Sequence, residues 1–159
     1  MSLCPSLEQE YRLATGVEGS LEDHFGFPVR YIPDLQVPPR DPEEARARFS
    51  TPLHPDTRFD AWGIAHEPGS AKAMHMTRMH HPLAGIDSLE ALKAYPLPDY
   101  AAADGLSQRA SVDAIHAQGL AAGAGMACTI WETAWYMRGM EDLMGDMMDD
   151  DPKAEWLLN

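Results

Sequence analysis

The stretch that most constrains this chain runs from Gly119 to Asn159, GLAAGAGMACTIWETAWYMRGMEDLMGDMMDDDPKAEWLLN. Leu120 to Met126 is short, apolar and rich in Gly and Ala. Such a run predicts a strand covered on both faces, where helices approach the backbone closely. The loop Ala127 to Thr133 follows. Met137, Met140, Met144, Met147 and Met148 then recur at helical spacing, with Glu141, Asp142, Asp146 and Asp149 between them. One apolar stripe on an acidic helix predicts a long amphipathic helix on a sheet, its methionines filling gaps in the core. Chemistry in α/β folds gathers in loops that leave the C-terminal ends of strands. The loop from Cys128 to Thr133 is therefore the first place to look for function.

Upstream, helix stops and proline breaks set the segmentation. Leu7 to Ala14 predicts a short helix ended by Gly16 and Gly19, and Ser20 to Gly26 a further turn with Ser20 as N-cap. Phe27 to Ile32 is β-branched and aromatic and predicts a strand closed by Pro33. Six prolines between Pro33 and Pro55 leave room for one helix, Asp41 to Phe49, with Asp41 as N-cap and Pro42 at the first helical position. Arg58 to His66 predicts a strand bending at Gly63. Ala71 to Met79 is either its hairpin partner or a helical turn, and such a pair often forms a flap over a site. His81 to Gly85 reads as a turn, Ser88 to Tyr95 as a capped helix, and Leu106 to Gln118 as a helix stopped by Gly119. Pro152 opens a last helix whose Trp156, Leu157 and Leu158 have no evident apolar counterpart.

A chain of 159 residues suits one domain. Its formal charge of −13 argues against nucleic acid and against anionic membrane surfaces. Cys4 and Cys128 form neither a disulfide framework nor a paired zinc motif, which makes a reducing cytoplasm the default. No basic and apolar leader opens the sequence, and no apolar run approaches the roughly 20 residues of a membrane span.

Three stretches, taken in order, resemble the uroporphyrinogen decarboxylase family. They are DAWG (Asp60 to Gly63), HHPLAGIDSLEALKAYPLPD (His80 to Asp99) and WETAWYMRGMEDLM (Trp131 to Met144). The resemblance, strongest to the divergent branch near the corrinoid methyltransferases, spans about Phe25 to Asn159. It implies an α/β fold of the (β/α)8 TIM-barrel type, of which this chain is the N-terminal half. It implies decarboxylation of a tetrapyrrole in the cytoplasm without a cofactor. One alternative is zinc-dependent methyl transfer to a corrinoid or thiol, with the zinc ligands outside this chain. Another is a non-catalytic half-barrel that self-associates or needs a partner for its missing second half. The family's arginine-rich substrate motif has no match here. Arg12 and Arg30 stand isolated, and Arg30 is the candidate for a substrate carboxylate.

Glu132, beside Trp131 in the loop, is the candidate for orienting substrate or taking a proton, with its pKa open to elevation by the indole. Its plainer role is a favourable charge at a helix start. Trp131 and Tyr136 are candidates for substrate contact, and Arg138 belongs on the helix surface. The family carries an aspartate that stabilises the protonated pyrrole, and Asp60 is its candidate here. His75, His80 and His81 lack metal-ligand spacing and read as turn residues. Cys128 has no neighbouring cation and reads as a small buried residue. The run from Gly123 to Met126 lacks a dinucleotide fingerprint.

Overall fold

The computed structural model describes residues 4–35, 37, 38, 40–69, 77–101, 103, 105–125 and 129–159. Among them the chain forms α1 (Pro5–Thr15), α2 (Leu21–His24), β1 (Val29–Tyr31), α3 (Pro42–Arg46), β2 (Arg58–Phe59), β3 (Ala65–Glu67) and β4 (Arg78–His80). It continues with α4 (Leu89–Lys93), α5 (Leu106–His116), β5 (Ala121–Gly123), α6 (Ile130–Arg138), α7 (Met140–Met148) and α8 (Pro152–Leu158). The class is mixed α/β. The strands make two small sheets, β1 with β5 and β2-β3-β4, and no closed barrel is present among the described residues. The chain divides into two compact units. Cys128 and the whole segment from Ala71 to Met76, His75 included, lie outside the described residues.

The first unit comprises Met1–Gln36, Ser70–His75 and Tyr100–Met126. Its centre is a parallel pair, Val29 opposite Ala121 and Tyr31 opposite Gly123, with α5 packed on β5. Pro28 and Pro33 trim the expected six-residue strand to three. Gly119, at φ 74°, turns the chain from α5 into β5. A side chain at Gly123 would come within 3.2 Å of Val29 Cγ1, so the close approach at this glycine comes from side chains of the paired strand β1 rather than from a helix. Nor is β5 buried on both faces. Ala121 is exposed, because β5 has one strand partner and one helix over it. Leu21 and Ile115 are the buried apolar side chains described in this unit.

The second unit comprises Val37–Gly69, Met76–Asp99 and Ala127–Asn159. Its core is Ile64, Leu83, Leu92, Tyr95 and Met137, continued by Ala134, Leu143 and Ala154. The antiparallel sheet contributes Ala65 to the interior and packs Met79 against the core, and Ile64, in the turn just before β3, is buried beside them. It is a wall of the core, not a flap. N-caps fall where the sequence places them: Asp41 accepts from the N–H groups of Glu43 and Glu44, and Ser88 from Ala91. Trp156 and Leu157 are also answered, since both pack against the main core and Leu158 packs against the smaller cluster.

The long C-terminal helix is two helices. Gly139, at φ 92° and ψ 139°, ends α6 and starts α7. The break changes what the methionine stripe does. Met137 on α6 is buried, but Met140, Met144, Met147 and Met148 on α7 are 36%, 50%, 44% and 83% exposed. Leu143 and Asp146 point inward in their place.

Arg138 is not on the surface either. It is 4% exposed, and its guanidinium donates to Asp146 at 2.9 and 3.3 Å and to the Leu83 and Ile86 carbonyls at 2.7 and 2.9 Å. Lys153 lies 3.5 Å from Asp146 and 2.9 Å from Asp151. Asp142 accepts the Gly85 N–H. One ionic cluster thus ties α6, α7 and α8 to the turn before α4. Burial permits it because each charge meets an opposite charge and the guanidinium also reaches carbonyls.

This cluster predicts a pH response. The Lys153 N–H and then its ammonium hold the Asp151 carboxyl below the usual range, and Asp151 in turn raises Lys153. A depressed carboxyl stabilises the fold fully above its unfolded value, about 3.9, and loses that contribution as pH falls through the lower folded value. Lys153 contributes below its unfolded value, about 10.4, and loses its part as pH rises past the folded one. Asp151→Asn is expected to flatten the acid limb of a stability-versus-pH curve followed by circular dichroism. An acid limb identical to the parent's would contradict this.

Candidate functional site

The Asp60 turn builds one wall of a groove. Asp60 Oδ1 accepts the N–H groups of Trp62 and Ile64 at 2.9 and 3.0 Å, and Gly63 takes the left-handed conformation at φ 80°. This tight turn joins β2 to β3 and carries Trp62 at its tip. The Trp62 carbonyl accepts the Tyr95 hydroxyl at 2.6 Å. Burial raises the Tyr95 pKa, against the lowering effect of the Arg40 and Arg48 guanidiniums on its ring.

The groove has a volume of 470 Å3 and lies within the second unit. Trp62, Leu97, Trp156 and Leu157 form one part of its lining, and α6 forms another through Ile130, Thr133, Ala134 and Met137. Those four residues fall at i, i+3, i+4 and i+7, one face of a helix. Thr129 and Thr133 supply hydroxyls near the start of α6, and the Thr129 side chain makes no cap hydrogen bond to that helix. Asn159 adds a carboxamide to the lining, and none of the described lining side chains is charged. The arrangement suits an apolar or aromatic body with one polar edge.

Of the five residues singled out in the sequence, none lines this groove. Asp60 holds its wall in shape, and its Oδ2 lies 3.1 Å from His66 Nε2. Glu132 is exposed in the first turn of α6, and Trp131 is exposed beside it. Tyr136 packs against the core, and its carbonyl accepts from His81 Nδ1 at 2.7 Å. Arg30 belongs to the first unit, where it pairs with Asp23 and donates to the Phe27 carbonyl. His80 Nε2 lies 3.1 Å from Glu67 Oε1. Among the described residues no group of three or more His, Cys, Asp or Glu side chains could hold a metal ion. Of the residues that do line the groove, Trp62 belongs to DAWG, whereas Ile130 and Thr133, expected in a loop, lie in the first turns of α6, which starts at Ile130.

The three stretches that carry the family resemblance meet in this unit. His81, Leu83 and Gly85 of the second stretch bond to Tyr136, Met137 and Asp142 of the third. Tyr95 of the second bonds to Trp62 of the first. No protein-family model, curated protein or solved structure matches the chain. Among the described residues no helix is long and apolar enough to cross a membrane.

Proposed function

We propose that the groove of the second unit is a ligand site for a small, uncharged and largely apolar molecule, held between Trp62 and the α6 face. The observation that carries this is the lining: two tryptophans and five aliphatic or methionine side chains, with hydroxyls at Thr129 and Thr133 and the carboxamide of Asn159. Tryptophan fluorescence and thermal melts against neutral rings such as indole and naphthalene test it. Saturable quenching and a concentration-dependent rise in melting temperature are expected, since a ligand at 100 times its Kd stabilises by about 2.7 kcal/mol. Leu97 and Ile130 are 48% and 62% exposed, so Leu97→Asp and Ile130→Asp place charge in the lining without opening the core. Each is expected to weaken binding about tenfold or more. Neutral rings that fail to saturate, or that bind both variants as well as the parent, would rule the site out.

Decarboxylation of a porphyrinogen is a second reading. The convergence of the three family-like stretches on one groove supports it, since Trp62, Leu97 and Thr133 come one from each. In that reading Asp60 acts from its turn, with Oδ1 engaged by two backbone N–H groups and Oδ2 facing His66. The lining offers no cation to pair with the carboxylates of a porphyrinogen, which ranks this reading behind the first. Release of CO2 from uroporphyrinogen, abolished in Asp60→Asn, is its test. Zinc-dependent methyl transfer, the alternative within the same resemblance, would draw its ligands from outside this chain. A half-barrel completed by a partner would show itself as obligate self-association without turnover.

A further inference from the structure

The apolar face of α7 has no cover within the described chain. Met140, Met144, Met147 and Met148 fall within about a third of the helix circumference and are all exposed, Met148 at 83%. Four neighbouring exposed methionines make a contiguous apolar strip, and such strips on a folded surface mark contact sites. The charge around this one has a single sign. Glu141 borders the strip, and exposed Asp149 and Asp150 follow its C-terminal end. That end is also the negative pole of the helix dipole, and the last turn of α7 holds no basic residue. The nearby cations, Arg138 and Lys153, are buried and committed to Asp146 and Asp151. A strip of flexible thioethers ending in unneutralised negative charge is complementary to one kind of surface.

We propose that α7 docks a basic amphipathic helix of a partner protein. The partner's apolar face lies along Met140, Met144, Met147 and Met148, and its Lys or Arg side chains meet Asp149, Asp150 and Glu141. Methionine suits this use, because an unbranched thioether side chain adapts to differently shaped apolar partners. The carboxylates supply orientation and a faster encounter, and their contribution falls with salt. The docking does not involve the groove between Trp62 and α6.

An 18-residue peptide of Leu and Lys patterned as an amphipathic helix is the probe, with a scrambled peptide of the same composition as control. Calorimetry on the full chain is expected to show one saturable site for the patterned peptide, with the peptide becoming helical by circular dichroism. Affinity is expected to fall about tenfold or more in Met144→Gln/Met148→Gln. In Asp149→Asn/Asp150→Asn it is expected to fall severalfold and to lose most of its salt dependence. All four positions are exposed, so both variants should keep the parent's melting temperature, which is checked first. Equal binding of the scrambled peptide, or unchanged binding in both variants, would overturn the proposal. So would dimerisation of the chain alone that Met144→Gln/Met148→Gln abolishes, which would make a second copy the occupant.

Discussion

Replacing Asp146 by Ala is expected to remove about 3–5 kcal/mol of stability, the range for taking one member from a buried ion pair. The carboxylate is 9% exposed and receives the Arg138 guanidinium through two nitrogens, with the Lys153 ammonium 3.5 Å away. Its loss leaves two cations in the interior. Lys153 retains Asp151, but Arg138 retains only two carbonyls and Asp142 at 3.8 Å. Set against the roughly 5–15 kcal/mol that holds a typical domain, this is a large fraction. The junction of α6, α7 and α8 should open first. Urea unfolding followed by circular dichroism measures the difference. A loss under about 1 kcal/mol would mean that the cluster is solvated and is not what fastens the three helices together.

Gly63→Ala is expected to cost about 3 kcal/mol, from two separable sources. An alanine at φ 80° pays for a left-handed backbone, about 1–2 kcal/mol. Its Cβ would also sit 2.2 Å from the Tyr95 hydroxyl, which must move and give up its bond to the Trp62 carbonyl, worth about 0.5–1.5 kcal/mol. The tyrosine has little room to yield, because the Arg40 and Arg48 guanidiniums lie 4.9 and 5.2 Å from its ring centre. Gly85→Ala separates the two sources. Gly85 has φ 69° with nothing within 4 Å of a Cβ, so it carries the backbone cost alone. If the two variants melt at the same temperature, the contact between Gly63 and Tyr95 contributes nothing. Because Trp62 precedes Gly63, Gly63→Ala should also weaken ligands of the groove, and Gly85→Ala should not.

Much of the local structure was legible in the sequence, because its causes are local. Ser20, Asp41 and Ser88 cap the helices that follow them through their own side chains. Gly119 stops α5 because the left-handed turn it makes suits a residue without a Cβ. The bend at Gly63 and the start of α8 at Pro152 have the same kind of cause. The candidate site was legible in part. The sequence draws attention to the segment around Thr129 and Thr133 but as a loop, whereas α6 starts at Ile130, and nothing local says that Trp62, Leu97 and Trp156 come to meet that helix.

The tertiary structure decided which side of each pattern faces inward. A helical stripe shows which residues share a face and not whether another element covers that face. On α7 the apolar stripe stays in solvent while Leu143 and Asp146 turn inward, because α6 and α8 pack on that side and bring Arg138 and Lys153 with them. No spacing rule foresees a buried aspartate, since its burial is tolerable only when cations distant in sequence arrive at the same place. Gly139 made this possible. By breaking one long helix into two, it allowed α7 to set its direction independently of α6.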